Sequence, residues 1–234
     1  MNRRFAILSS LLRYPDEGLR ADLPDITAAI GEAGFAPVNA RALLRLARRL
    51  GAGDPLDRQE DYVRLFDRTR STSLHLFEHV HGDSRNRGPA MIELAQAYQG
   101  AGFAITGNEL PDYLPLFLEF LAVAPAELGA ALLSQAAPII DQLHGRLLAR
   151  TQAPARAYAA VPAAALAEAG VAPQARQALA DDATDADDLG AIDAAYEDAP
   201  VVFGPENDPD RGNVRASMSA MISRLKRLRA SGAL

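Results

Sequence analysis

Apolar residues recur at spacings of three and four along most of this chain, and prolines and glycines cut the pattern into helix-length pieces. Phe5, Leu8, Leu11 and Leu12 share one helical face. Pro15 stops that helix, because it has no amide hydrogen to donate and pushes Tyr14 out of the helical region. Leu43, Leu46, Ala47 and Leu50 repeat the pattern up to Gly51. Asp54-Pro55 supplies a capping carboxylate and then a first-turn proline, ahead of an inward face of Tyr62, Val63, Leu65 and Phe66. Gly88-Pro89 is expected to open a helix with Met91, Ile92, Ala95 and Tyr98 inward. Leu110-Pro111 is expected to open the next, with Leu114, Phe117, Leu118 and Leu121 inward. A long helix follows over 125–150, bent or split at Pro138, and then an alanine-rich helix over 154–169. No stretch alternates with period two between turn residues. The only β-like run is Val201-Val202-Phe203, flanked by Pro200 and Pro205. The expected fold is all-α, a single-domain helical bundle.

Composition narrows the function. With 234 residues, 49% of them hydrophobic, the chain can bury one sizeable core. Its net charge of -6 argues against a nucleic-acid partner. It has no cysteine, which excludes disulfides, iron–sulfur clusters, Cys-ligated zinc and a thiol nucleophile. The N-terminus has Arg3, Arg4 and a short apolar stretch but no small-residue cleavage site, so it reads as a helix and not a signal peptide. The best apolar run, Leu114 to Pro125, is interrupted by Glu119 and falls far short of the roughly 20 residues that span a bilayer. A cytoplasmic protein without stable membrane insertion is expected.

Three regions differ in character. Residues 1–170 carry the helical pattern. Residues 171–213 are acidic and turn-rich and are expected to pack poorly; Asp181 to Asp198 holds eight acidic residues and no Lys or Arg. Residues 214–234 form an amphipathic helix pattern, with Val214, Met218, Met221, Leu225 and Leu228 on one face and Arg215, Arg224, Lys226, Arg227 and Arg229 behind; it is expected to dock on its own domain with its basic side met by the acidic segment, the alternatives being a membrane surface or a second protein.

Polar chemistry concentrates between Asp67 and Arg87, which hold three of the four histidines and four arginines. His75, Glu78 and His79 match the H-x-x-E-H pattern, in which two imidazoles four apart on a helix share a metal and the glutamate activates water. A metal-dependent hydrolase is therefore one alternative, although such enzymes are mixed α/β. The plain alternative is that each histidine satisfies a carbonyl or carboxylate. Arg68, Arg70, Arg85 and Arg87 suit bidentate capture of carboxylates or phosphates, or ordinary surface pairing. There is no glycine-rich phosphate loop and no G-x-S-x-G, which removes support for nucleotide-binding and serine-hydrolase classes. Glu109-Leu110-Pro111-Asp112-Tyr113 reads locally as a helix N-terminus.

Taken together, Tyr62 to Asp67, Ser73 to Gly82, Ser84 to Gly88, Glu109 to Asp112, Leu114-Pro115-Leu116 and Leu118 to Leu121 resemble the signature of the nitrate reductase delta-subunit family of assembly chaperones, within the TorD-like class. Leu11 to Pro15 fits as well, and the match is dense over 60–125. The resemblance implies a non-enzymatic chaperone with no permanently bound cofactor. It would bind the N-terminal peptide of the apo catalytic subunit of nitrate reductase, assist molybdenum-cofactor insertion into that client and delay membrane attachment. Cofactor-biosynthesis proteins are further implied partners, and another molybdoenzyme is the alternative client. An amphipathic peptide helix needs an apolar trough with polar rims. Tyr62, Leu65, Phe66, Leu76 and Phe77 are expected to line it, with His75, His79, Arg85 and Arg87 at its edges. Glu109, Pro111, Asp112, Tyr113 and Glu119 carry the family motif, with Tyr113 standing where the class commonly has histidine.

Overall fold

The computed structural model describes residues 2–81 and 87–173. The expectations for Arg85, for residues 174–213 of the acidic region and for residues 214–234 lie outside the described residues. Helix α1 (Arg3–Leu12) is capped by Asn2, whose side chain accepts from the Arg4 amide. Helix α2 (Glu17–Glu32) starts at Asp16, whose carboxylate accepts from Leu19 N. Then come α3 (Pro37–Gly51) and α4 (Pro55–Tyr62), the latter capped by Asp54 and running straight into a π turn, Val63–Asp67. A 3₁₀ turn (Arg70–Thr72) and a one-turn helix α5 (Glu78–His81) follow. The remaining helices are α6 (Arg87–Gly100), α7 (Leu114–Val123), α8 (Ala126–Ala149), α9 (Ala153–Tyr158) and α10 (Ala160–Glu168).

The apolar helix α7 is the centre. It buries Leu114, Phe117, Leu118, Phe120 and Leu121 and lies against α1, whose Leu8, Leu11 and Leu12 are fully buried. Around this pair, α2 packs on α3, and α9 and α10 cover both α3 and α8. Tyr62, Phe66 and Tyr158 meet edge to face, with centroids 4.9–6.1 Å apart. A second aromatic group joins Tyr98, Phe103 and Phe120. Among the described residues the only strand-like pairing is one isolated antiparallel bridge, His75 with Tyr113. No described helix is long and apolar enough to cross a membrane.

Several local expectations are corrected. Helix α7 begins at Leu114, with Pro115 in its first turn, not at Leu110-Pro111. Residues 111–113 are held instead by pairing to the 74–76 segment: Leu76 N donates to Asp112 O at 3.0 Å and Leu114 N to Leu74 O at 2.8 Å. Helix α8 runs through Pro138 as one helix. The proline deprives the Ser134 carbonyl of its donor, but Ser134 is exposed to water, and packing on both sides holds the helix together. Helix α6 buries Ala90, Leu94, Ala97 and Tyr98, leaving Ile92 exposed. The alanine-rich stretch is two helices that meet at Ala159. Helix α2, which the sequence expectations did not include, buries Leu19, Leu23, Ile26 and Ile30 at spacings of four, three and four and contains Pro24.

Candidate functional site

The polar run after α4 folds back on the π turn because its hydroxyls satisfy the carbonyls that the turn leaves open. Thr69 Oγ1 donates to Arg64 O at 3.1 Å and Thr72 Oγ1 donates to Leu65 O. Arg146, from α8, anchors the same run by donating to Ser71 O at 3.1 Å. Residues 74–77 are thereby laid along 112–114, and the two segments close as a clasp.

Asp112 is the pin of that clasp. Its side chain is 0% exposed, yet each carboxylate oxygen has a donor. Phe77 N donates to Oδ2 at 3.1 Å, and His75 Nδ1 donates to Oδ1 at 3.2 Å. The Arg87 guanidinium stands 4.0 Å from Oδ2 and donates to Glu78 at 3.2 Å. A buried carboxylate is tolerable only with such partners. The hydrogen bond to Asp112 raises the pKa of His75 above its usual value, against the opposing effect of burial.

His79, four residues on, is in the opposite regime. Its Nε2 donates to Ser73 O at 2.8 Å, so Nδ1 is the acceptor for Arg146 at 2.9 Å. Burial, then the Arg146 charge, push its pKa down to about 4, and the ring is neutral at physiological pH. The H-x-x-E-H expectation is corrected by this geometry. His75 sits in the bridge to Tyr113 and α5 starts only at Glu78, so the two imidazoles do not share a helical face. Both ring nitrogens of His79 are engaged within the protein. Among the described residues no group of three or more His, Cys, Asp or Glu is arranged to hold a metal.

Tyr113 closes the outer side. Tyr62 Oη donates to Leu12 O at 2.9 Å, so Tyr113 Oη is the donor in the 3.0 Å bond between the two hydroxyls. The His75 and Tyr113 rings lie 5.5 Å apart. Burial raises the pKa of both hydroxyls. Tyr98 Oη donates to Pro111 O at 2.8 Å and fixes the loop from beneath. Tyr14 and Leu110, each 41% exposed, and the exposed Arg13, Asp67 and Glu109 border this centre.

The structure thus redistributes the expected site. Tyr62, Leu65, Phe66, Leu76 and Phe77 are 0–4% exposed and belong to the core, so they do not line an open trough. Tyr14, and Tyr158 of α9, pack edge to face on Tyr62, and Tyr158 packs on Phe66 as well. His75 and Arg87 are partly exposed at the clasp, and His79 is tied inside it. Pro111, Asp112 and Tyr113 lie in the clasp and Glu109 at its edge. Glu119 is exposed on α7 and takes no part. Arg146 and Ser73 were missed. Arg146 has no local signal, since its role comes from a contact 67 residues away. The hydroxyl-rich run was visible, but its π-turn partners were not.

Fold and clasp together define an all-α helical-bundle protein of the TorD-like kind. The chain belongs to the nitrate reductase delta subunit family, whose model matches residues 18–154. It is 41% identical over 201 residues to the nitrate reductase molybdenum cofactor assembly chaperone NarJ of Escherichia coli strain K12, covering 84% of this chain and 83% of that one. It is 41% identical over 144 residues to the probable assembly chaperone NarW of the same strain (62% of this chain, 60% of the other). It is 37% identical over 143 residues to the probable NarJ of Bacillus subtilis strain 168 (61% and 77%). These relatives are named as assembly chaperones and not as enzymes.

Proposed function

We propose that this chain is a cytoplasmic, system-specific chaperone for the apo catalytic subunit of a respiratory nitrate reductase. It binds chiefly the N-terminal peptide of that subunit and holds the client for molybdenum-cofactor insertion before membrane attachment. The observation that carries this is the likeness, over 84% of the chain, to a protein named as such a chaperone. The cofactor enters the client and is handled only indirectly, and cofactor-biosynthesis proteins meet the client on this platform.

The clasp supplies a surface of suitable chemistry. Tyr14, Tyr113 and Leu110 offer apolar area, while His75, Arg13 and Glu109 offer polar contacts around it. An amphipathic segment needs that combination. With the five core side chains sealed, the peptide docks on this outer rim.

The test is calorimetric titration of the full chain with a synthetic N-terminal peptide of the catalytic subunit, at pH 6 and pH 8. Saturable one-to-one binding is expected, weakened at least tenfold by Tyr14→Ala and by Tyr113→Ala with the fold retained. Absence of binding at both pH values, with folded protein and soluble peptide, would refute peptide recognition and point to a folded surface of the client. Binding only to peptides of other molybdoenzymes would reassign the client.

A further inference from the structure

Helix α3 carries an exposed cationic stripe that the packing of the bundle does not use. Arg41, Arg45 and Arg48 are exposed and three or four residues apart, so they share one face, opposite the buried Leu43, Leu46, Ala47 and Leu50. Val38, 62% exposed, extends the same face toward the N-terminus of the helix. None of the three guanidiniums reaches a carboxylate among the described residues; Arg48 Nε only donates to Leu44 O of its own helix, at 3.2 Å. Arg3, Arg13 and Arg64, by contrast, pair with Glu32, Asp22 and Glu60. Three adjacent arginines without a carboxylate partner among the described residues stand out in a chain of net charge -6.

The complementary charge lies in the same polypeptide. Residues 181–198 hold eight carboxylates and no Lys or Arg, interspersed with Leu189, Ile192 and Tyr196. The described chain also ends on the right side of the molecule. Glu168, the last residue of α10, accepts from Arg4 NH1 at 2.8 Å, and Arg4 Nε donates to Ala33 O at 2.8 Å, just ahead of α3. From Pro173 to Asp181 the chain can extend about 27 Å, and the 15 residues of α3 span about 22 Å. The acidic segment can therefore reach the whole stripe.

We propose that the Arg41–Arg45–Arg48 face of α3 is a docking surface for the chain's own acidic segment, residues 181–198. Guanidiniums meet carboxylates along the stripe, and the interspersed apolar side chains meet Val38. Single exposed pairs of this kind are weak, but several together form a salt-sensitive contact. This inference does not depend on the client or on the clasp.

The absence of native cysteine gives a direct test in the full chain. Spin labels are placed at Asn39→Cys on α3 and Ala191→Cys in the acidic segment, and their separation is measured by electron–electron double resonance. A short-distance population is expected at low salt. It should fall at least about twofold at 1 M NaCl, where the Debye length is about 3 Å. Arg41→Glu, Arg45→Glu and Arg48→Glu together should empty it. Asp181→Lys, Asp182→Lys, Asp185→Lys, Asp187→Lys and Asp188→Lys in that background should restore it. Circular dichroism checks that these solvent-face changes leave the fold intact. A distance distribution indifferent to salt and to charge reversal would overturn the proposal. So would wide separation in the wild type combined with retention on anionic phosphatidylglycerol vesicles, which would assign the stripe to an external anionic surface.

Discussion

Removal of the Asp112 carboxylate should open the clasp at a cost that the geometry allows to be worked out. Asp112→Ala leaves Phe77 N without its acceptor inside the core; an unsatisfied buried donor costs roughly 1–3 kcal/mol. It also removes the charged bond to His75. A charged hydrogen bond is worth about 1.5–3 kcal/mol, and the low end applies because the His75 side chain is 29% exposed. The total is about 2.5–4.5 kcal/mol, a large share of the roughly 5–15 kcal/mol that holds a domain together. Asp112→Asn keeps one acceptor for Phe77 N and should lose about half as much. Urea unfolding of the full chain, followed by circular dichroism at pH 7, reads this as a drop in midpoint at unchanged slope. The same variants should lower the pKa of His75, seen by NMR of the imidazole, because burial then acts without its counterweight. A His75 pKa raised above its unfolded value contributes stability that is complete below about pH 6.5 and is lost as pH rises through the folded value. Equal unfolding midpoints for wild type, Asp112→Asn and Asp112→Ala would refute the clasp argument.

Other expectations follow from neighbouring contacts. His79, depressed to about 4, should cost stability as pH falls from about 6.5 toward 4, by no more than about 2 kcal/mol at pH 5; His79→Gln should flatten that loss in urea titrations at pH 7 and pH 5. Tyr62→Phe should destabilise by about 1–2 kcal/mol, because Leu12 O and Tyr113 Oη both lose a partner, and Tyr113→Phe by less; thermal unfolding compares them. Phe77→Ala, at a fully buried position, should cost about 3–5 kcal/mol while the folded fraction still binds client peptide, which separates packing from recognition by paired unfolding and calorimetry. Added zinc should leave the melting temperature unchanged, because His75 and His79 do not converge.

The amino-acid sequence by itself determined the helical class, the ends of α1 and α3, the start of α4 and the inward faces of α1, α3 and α7. Those features depend on residues three and four apart and on neighbouring proline, glycine and capping side chains, which interact locally. It also carried the family resemblance, since that rests on the order of residues alone. Tertiary structure decided the site. A run of aromatic and aliphatic residues from Tyr62 to Phe77 looks the same on paper whether it lines a groove or fills a core, and tertiary packing chose the core. The Pro111-Asp112 segment has the letters of a helix start, but it forms a turn held by pairing to residues 74–76, and the helix starts only at Leu114. His75 and His79 are chemically identical in sequence. Asp112, 37 residues from His75, raises its pKa, while burial and then Arg146, 67 residues from His79, lower that of His79, and distance along the chain gives no measure of such contacts in space.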